Sequence, residues 1–179
     1  MDAQNEAVVI KDELDDARFY LEAIFQAQYA HIARVIARVI RDPSRAEELA
    51  VEVFLKWSRN PLAQGSRAEG WLHRTAARMA LDELRKQARR SRHERWPGPV
   101  RRPPTPEELH SVRQEQDRVR AVLGGIAPRH AELLVLRSQG FNYEELAATL
   151  ELNPASVGTL LSRAQQMFRK EYLKRYGEA

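Results

Sequence analysis

In Asn142-Tyr-Glu-Glu-Leu-Ala-Ala-Thr-Leu-Glu-Leu-Asn-Pro-Ala-Ser-Val157 two helix starts follow each other with only a short break between them. Asn142 is placed to cap the first, with Glu145 at the capping-box position, and Leu146, Ala147 and Leu150 give it one apolar face. Asn153-Pro154 opens the second as N-cap and first-turn proline, and Val157, Leu160, Leu161, Ala164 and Phe168 form its buried stripe. Upstream, Pro128 begins another helix on Ala131, Leu134, Val135 and Leu136, which Gly140 ends as a left-handed cap. A short helix, a tight turn and a longer helix make a helix-turn-helix, whose second helix can enter a major groove. With Val157 inward, the outer face is Ala155, Thr159, Ser162 and Gln166, flanked by Ser156, Gly158, Arg163, Arg169 and Lys170. Such side chains can read base edges or hold phosphates. A plain three-helix bundle with a soluble outer face has the same spacing.

Further upstream, Arg95 to Pro106 holds five of the nine prolines, which forbids regular helix and predicts an extended connector. A second helical unit starts beyond it, with Thr105 as its cap and Glu107 and Glu108 suited to the helix dipole. Before the connector, a helix from about Arg67 to Arg90 buries Trp71, Leu72, Thr75, Ala76, Met79, Ala80 and Leu84, with Ser66 as N-cap. Arg74, Arg78, Asp82, Arg85 and Arg89 recur at three- and four-residue spacing, so they share one face, with Lys86 and Arg90 at its edge. A helix from Pro43 to Trp57, capped by Asp42, turns Ala46, Leu49, Ala50, Val53, Phe54 and Trp57 inward. Leu14 to Ile40 reads as one long helix or two nearly continuous ones.

Charge follows this organisation. The net charge is only +4, yet residues 74–102 carry 10 basic and 3 acidic side chains, while residues 1–60 carry 8 basic and 11 acidic. A block of that kind attracts a polyanion by releasing its counterions, although a solvated basic linker has the same composition. Of the 179 residues 43% are hydrophobic and 30% charged, which fits one compact domain or two small ones. No run approaches the roughly 18 apolar residues of a membrane span. With no cysteine, disulfides, cysteine-based metal sites and thiol catalysis are excluded. The acidic, polar start of the chain predicts a cytoplasmic location. His31, His73, His93, His110 and His130 lack metal-ligand spacing, and no Gly-rich phosphate loop or nucleophile triad is present. No cofactor or metal is therefore expected, and the chain is not expected to be an enzyme. Trp57 and Trp71 read as core aromatics, and Trp96 as a docking anchor in the connector.

Two stretches together resemble the extracytoplasmic-function type of bacterial sigma factor. Pro43-Ser-Arg-Ala-Glu-Glu-Leu-Ala-Val-Glu-Val-Phe-Leu-Lys-Trp57 and Gly70-Trp-Leu-His-Arg-Thr-Ala-Ala-Arg-Met-Ala-Leu-Asp-Glu-Leu-Arg-Lys86 are similar to that family's first domain. Ile126-Ala-Pro-Arg129, Gly140-Phe-Asn-Tyr-Glu-Glu-Leu-Ala147 and Ser156-Val157 with Arg163-Ala164 are similar to its second. The resemblance implies an all-α protein of two small helical domains. These are a region 2-like four-helix domain over residues 1–94 and a region 4-like helix-turn-helix domain over 107–179, joined by a Pro-rich linker over 95–106.

It further implies core RNA polymerase and promoter DNA as partners, an anti-sigma factor as a regulator, and no membrane insertion. Arg45, Glu48, Glu52 and Lys56 become the polymerase-facing candidates. Arg74, Arg78, Arg85, Lys86, Arg89 and Arg90 would hold the −10 region, with a flipped base captured by the loop from Asn60 to Gly70. Ala155, Ser156, Thr159, Ser162, Arg163 and Gln166 would read the −35 region. The chain departs from the family at Arg78, often Asn there, and at Gly158 and Leu160, often Lys and Arg, which predicts weak duplex binding by the second domain alone. Two rivals remain: a sigma-like decoy or adaptor for an anti-sigma regulator, and a dimeric helix-turn-helix repressor.

Overall fold

A computed structural model describes residues 3–93 and 107–177. Their regular structure is entirely helical: α1 (Ala3–Val39), α2 (Pro43–Ser58), α3 (Ala68–His93), α4 (Glu107–Gly125), α5 (Pro128–Ser138), α6 (Tyr143–Leu150) and α7 (Val157–Tyr176). The Pro-rich linker, Trp96 and the expected cap Thr105 lie outside the described residues.

Nothing between Leu14 and Val39 breaks the helix, so among the described residues α1 runs through as one long helix, one of the two readings its spacing allows. It stops before Pro43, and α2 restarts with the Asp42 side chain accepting from the Arg45 amide at 3.1 Å. Ser66 is not the cap of α3. Residues Gly65–Arg67 form a 3-10 turn that runs straight into the helix. A second 3-10 turn, Pro154–Ser156, likewise precedes α7, with the Asn153 side chain accepting from the Ala155 amide at 3.0 Å. The capping box of α6 forms as its sequence dictates, at 2.9 Å from the Glu145 amide to Asn142 and 2.7 Å from the Asn142 amide to Glu145.

Helix α3 is the axis of the molecule. It packs on α1 and α2 on one side and on α4, α5 and α6 on the other. Leu72, Ala76, Ala80 and Leu84 are buried as their spacing requires, and Trp71, Thr75 and Met79 are half-buried. His73, Ala77 and Leu81 are buried as well, because the C-terminal helices cover a second face that a one-sided amphipathic pattern leaves to solvent, while Glu83 is buried toward α2, where Arg45 lies 3.3 Å away. Each fully buried leucine contributes about 1.5–3 kcal/mol, so Leu72 and Leu81, 0% and 1% exposed, make both faces costly to expose. Trp57 is 1% exposed and stacks edge-on with Phe54 in the seam between α1 and α2.

Candidate nucleic-acid interface

The basic stripe of α3 is divided by what packs on it. Near its start, Arg74 Nη1 lies 3.1 Å from Glu151, and Arg78 Nε donates to Glu132 Oε1 at 3.1 Å. Both carboxylates belong to the helix-turn-helix half of the chain, and Glu132 is only 5% exposed. In the middle, Arg85 Nη1 donates to Asp82 of the same helix at 3.2 Å, while its Nη2 is buried with no hydrogen-bond partner. Toward the end, Lys86, Arg89 and Arg90 are exposed. Three cations are thus open for phosphate, two are held by the other half, and one is held within α3.

The loop between α2 and α3 is built to keep its shape. Trp57 Nε1 donates to the Ala63 carbonyl at 2.9 Å, and Gly65, at φ +74°, donates its amide to the Tyr20 hydroxyl at 2.8 Å. Glycine suits that left-handed turn because it has no Cβ to clash. The loop and the start of α3 form one wall of a cleft of about 1040 Å³; residues of α1 and of the α5–α6 turn form the others. Asn60, Ser66, Arg67 and Trp71 face it from the first half, and Phe141 and Glu145 from the second. At its edge His73 is 6% exposed, edge-on to Phe141 at 5.0 Å, with Nδ1 buried and unpartnered. Burial pushes its pKa below the usual histidine value; Glu69 opposes this and His31 adds to it.

Thr159, Ser162, Arg163 and Gln166 of α7 are exposed on one side, as is Ala155 in the 3-10 turn before it, where half-buried Ser156 donates its hydroxyl to the Asn153 carbonyl at 2.8 Å. The Tyr143 ring lies against Gly158, where a Cβ would meet it at 3.5 Å. On α2, Glu48, Glu52 and Lys56 are exposed. Arg45 instead folds back, with Glu48 at 2.7 Å and the buried Glu83 of α3 at 3.3 Å; the Glu48 carboxylate foremost raises its pKa.

Sequence reasoning missed Glu132, Glu151, His73 and Phe141, which join the two halves, and the exposed Val51 and Leu55 beside Glu48 and Glu52. One signal was present: Leu133 to Leu136 is an unbroken apolar run, which marks a helix covered on more than one side. Such a helix brings the Glu132 that precedes the run into the interior as well.

Comparison with known proteins fits this arrangement. Residues 24–90 match the Sigma-70 region 2 family, a span that begins within α1 and ends on the last arginine of the basic stripe. The ECF RNA polymerase sigma factor SigE of Mycolicibacterium smegmatis is 31% identical over 152 residues, covering 81% of this chain and 58% of that relative. The ECF RNA polymerase sigma factor SigK of Mycolicibacterium vanbaalenii is 29% identical over 156 residues, covering 83% of this chain and 79% of that relative. The region 2 match thus falls on α1 to α3, and the likeness to the two ECF RNA polymerase sigma factors extends beyond it into the second helical half, although the chain spans under two thirds of the length of SigE.

Proposed function

We propose that the chain is a promoter-specificity subunit, which binds core RNA polymerase and directs promoter recognition and DNA melting. The observation that carries the reading is the coincidence, in one chain, of a region 2 match ending in a basic helix and a helix-turn-helix with a polar outer face. Residues 1–94 and 107–179 act as its two functional units, joined by 95–106. The outer face of α2, with Glu48, Glu52 and Lys56 around the apolar Val51 and Leu55, is the polymerase-docking surface, and Arg45 supports it from below.

The stripe Arg74, Arg78, Arg85, Lys86, Arg89 and Arg90 holds the backbone of the −10 strand, and the loop from Asn60 to Gly70 receives a base turned out of the stack. Extruding a base costs a few kcal/mol. Phosphate neutralisation and contacts with the loop offset that cost, so duplex opening is thermal melting trapped by binding. Ala155, Ser156, Thr159, Ser162, Arg163 and Gln166 read the −35 element as duplex. No bond is made or broken, so the reading assigns no catalytic residue, metal or nucleotide. It places the chain wherever the polymerase is, in the cytoplasm; among the described residues no helix is long and apolar enough to cross a membrane. An anti-sigma regulator fits as a further partner, because a protein covering these faces silences initiation.

Run-off transcription with purified core polymerase tests the reading, and promoter-dependent product is expected. Core binding without product would point to a decoy or adaptor, and no core binding to a conventional repressor. Either result overturns it.

A further inference from the structure

The helix assigned to a melted strand packs on α4, α5 and α6, which belong to the half assigned to duplex DNA. The contact has an apolar centre and a polar rim. Leu84 of α3 lies 3.8 Å from where a Cβ on Gly124 of α4 would stand, and the Gly70 backbone passes so close to Thr149 of α6 that a Cβ there would lie 3.5 Å from its Cα. Around the rim, Arg38 donates to Gln139 at 3.0 Å, Arg120 to the Val39 carbonyl at 3.2 Å, and Arg41 pairs with Asp117 at 2.8 Å.

Two further ion pairs differ from these in using the stripe itself, Arg78 with Glu132 and Arg74 with Glu151. A buried carboxylate is costly to leave unpaired, and Glu132 has Arg78 at 3.1 Å. Glu151 sits at φ +54°, a backbone conformation that favours glycine or asparagine, yet the residue there carries the carboxylate that reaches Arg74.

We propose that Glu132 and Glu151 latch the free protein in a self-masked form, occupying on Arg78 and Arg74 the places that DNA phosphates take, so that the two halves must part before a melted strand is held. Carboxylate and phosphate oxygens satisfy a guanidinium alike, so each carboxylate competes with a phosphate for the same cation and, with its helix in place, stands in the path of the strand. With Phe141 and Glu145 facing the cleft from the second half, the base-capture loop is masked in the same form. The exposed face of α7 is left unmasked. This rests on the reading of Arg74 and Arg78 as strand-holding residues.

The full chain lacks cysteine, so a single pair can report on closure. Gly70→Cys with Thr149→Cys places two Cβ atoms about 4.0 Å apart, within the range a disulfide spans. Mild oxidation should link this pair readily. Adding Glu132→Gln and Glu151→Gln should slow the linkage at least about fivefold, as expected when charge pairs at an interface are lost. In the cysteine-free chain, the same two Gln substitutions should tighten binding of a fluorescent single-stranded oligonucleotide by about fivefold or more.

The linked protein should neither bind the oligonucleotide nor initiate with core polymerase until a thiol reductant opens it. Glu151→Gly removes one carboxylate and suits φ +54° better than glutamate, so it should tighten oligonucleotide binding without loss of thermal stability. Unchanged linkage rate and unchanged oligonucleotide affinity in the Gln variants would overturn the latch, as would initiation by the linked protein. Absence of run-off product from the native chain would instead strike the functional reading, while slower linkage in the Gln variants would still support the latch.

Discussion

His73 shows how a single side chain reports on the whole assembly. Its imidazole is buried against Phe141 of the other half, and burial holds its pKa below the ordinary value of 6.5. The unfolded chain therefore binds a proton at a higher pH than the folded one. Stability is fully present above about pH 6.5 and is lost progressively as the pH falls from there through the lower folded value. Urea unfolding at pH 7.5 and pH 5.5 should show lower stability at the acid value, and His73→Phe, which keeps the aromatic contact, should reduce that difference. An equal pH dependence in both proteins would mean that other groups control it. The sequence marked His73 only as a histidine without metal-like spacing. Its burial follows from a partner 68 positions further along the chain.

Among the elements, the capped helices were the most legible. Asp42-Pro43, Asn142 with Glu145, and Gly140 each carry a local hydrogen bond or backbone preference, which needs no tertiary partner to act. The 3-10 turns before α3 and α7 were not legible, because a tighter turn and an α-helical first turn draw on the same residue types. Within α7, Gly158 carries the entropic cost of a glycine in a helix, and a Cβ there would meet Tyr143 only at ordinary contact distance. Gly158→Ala should accordingly stabilise the protein by about 0.5–1 kcal/mol, read as a raised midpoint in thermal unfolding. A lowered midpoint would show that Tyr143 needs the space.

For the molecule as a whole, the buried residues of both halves join in one cluster that runs from Ile32 of α1 through α3 to Leu161 of α7. A core shared in this way couples the halves. Chemical unfolding of a Trp96→Phe variant followed by tryptophan fluorescence, which then reports Trp57 and Trp71 in the first half, should coincide with its unfolding followed by helical circular dichroism over the whole chain. Two separated transitions would show that the halves unfold independently and that their contact adds little. The two-unit reading of the sequence and the shared core are compatible, because a connector can join units that also pack on each other.

By itself the sequence determined the helices, their caps, the inward faces of α2 and α7, and the concentration of cations on one stripe of α3. Each of these follows from period, backbone preference or charge within a short stretch of chain. Only the tertiary structure decided which cations stay open, since that depends on Glu132 and Glu151 arriving from other helices. It also decided that α3 is covered on two faces. Alanine at positions 76, 77 and 80 fits a crowded helix or an exposed one equally well, and only the neighbours on either side choose between them.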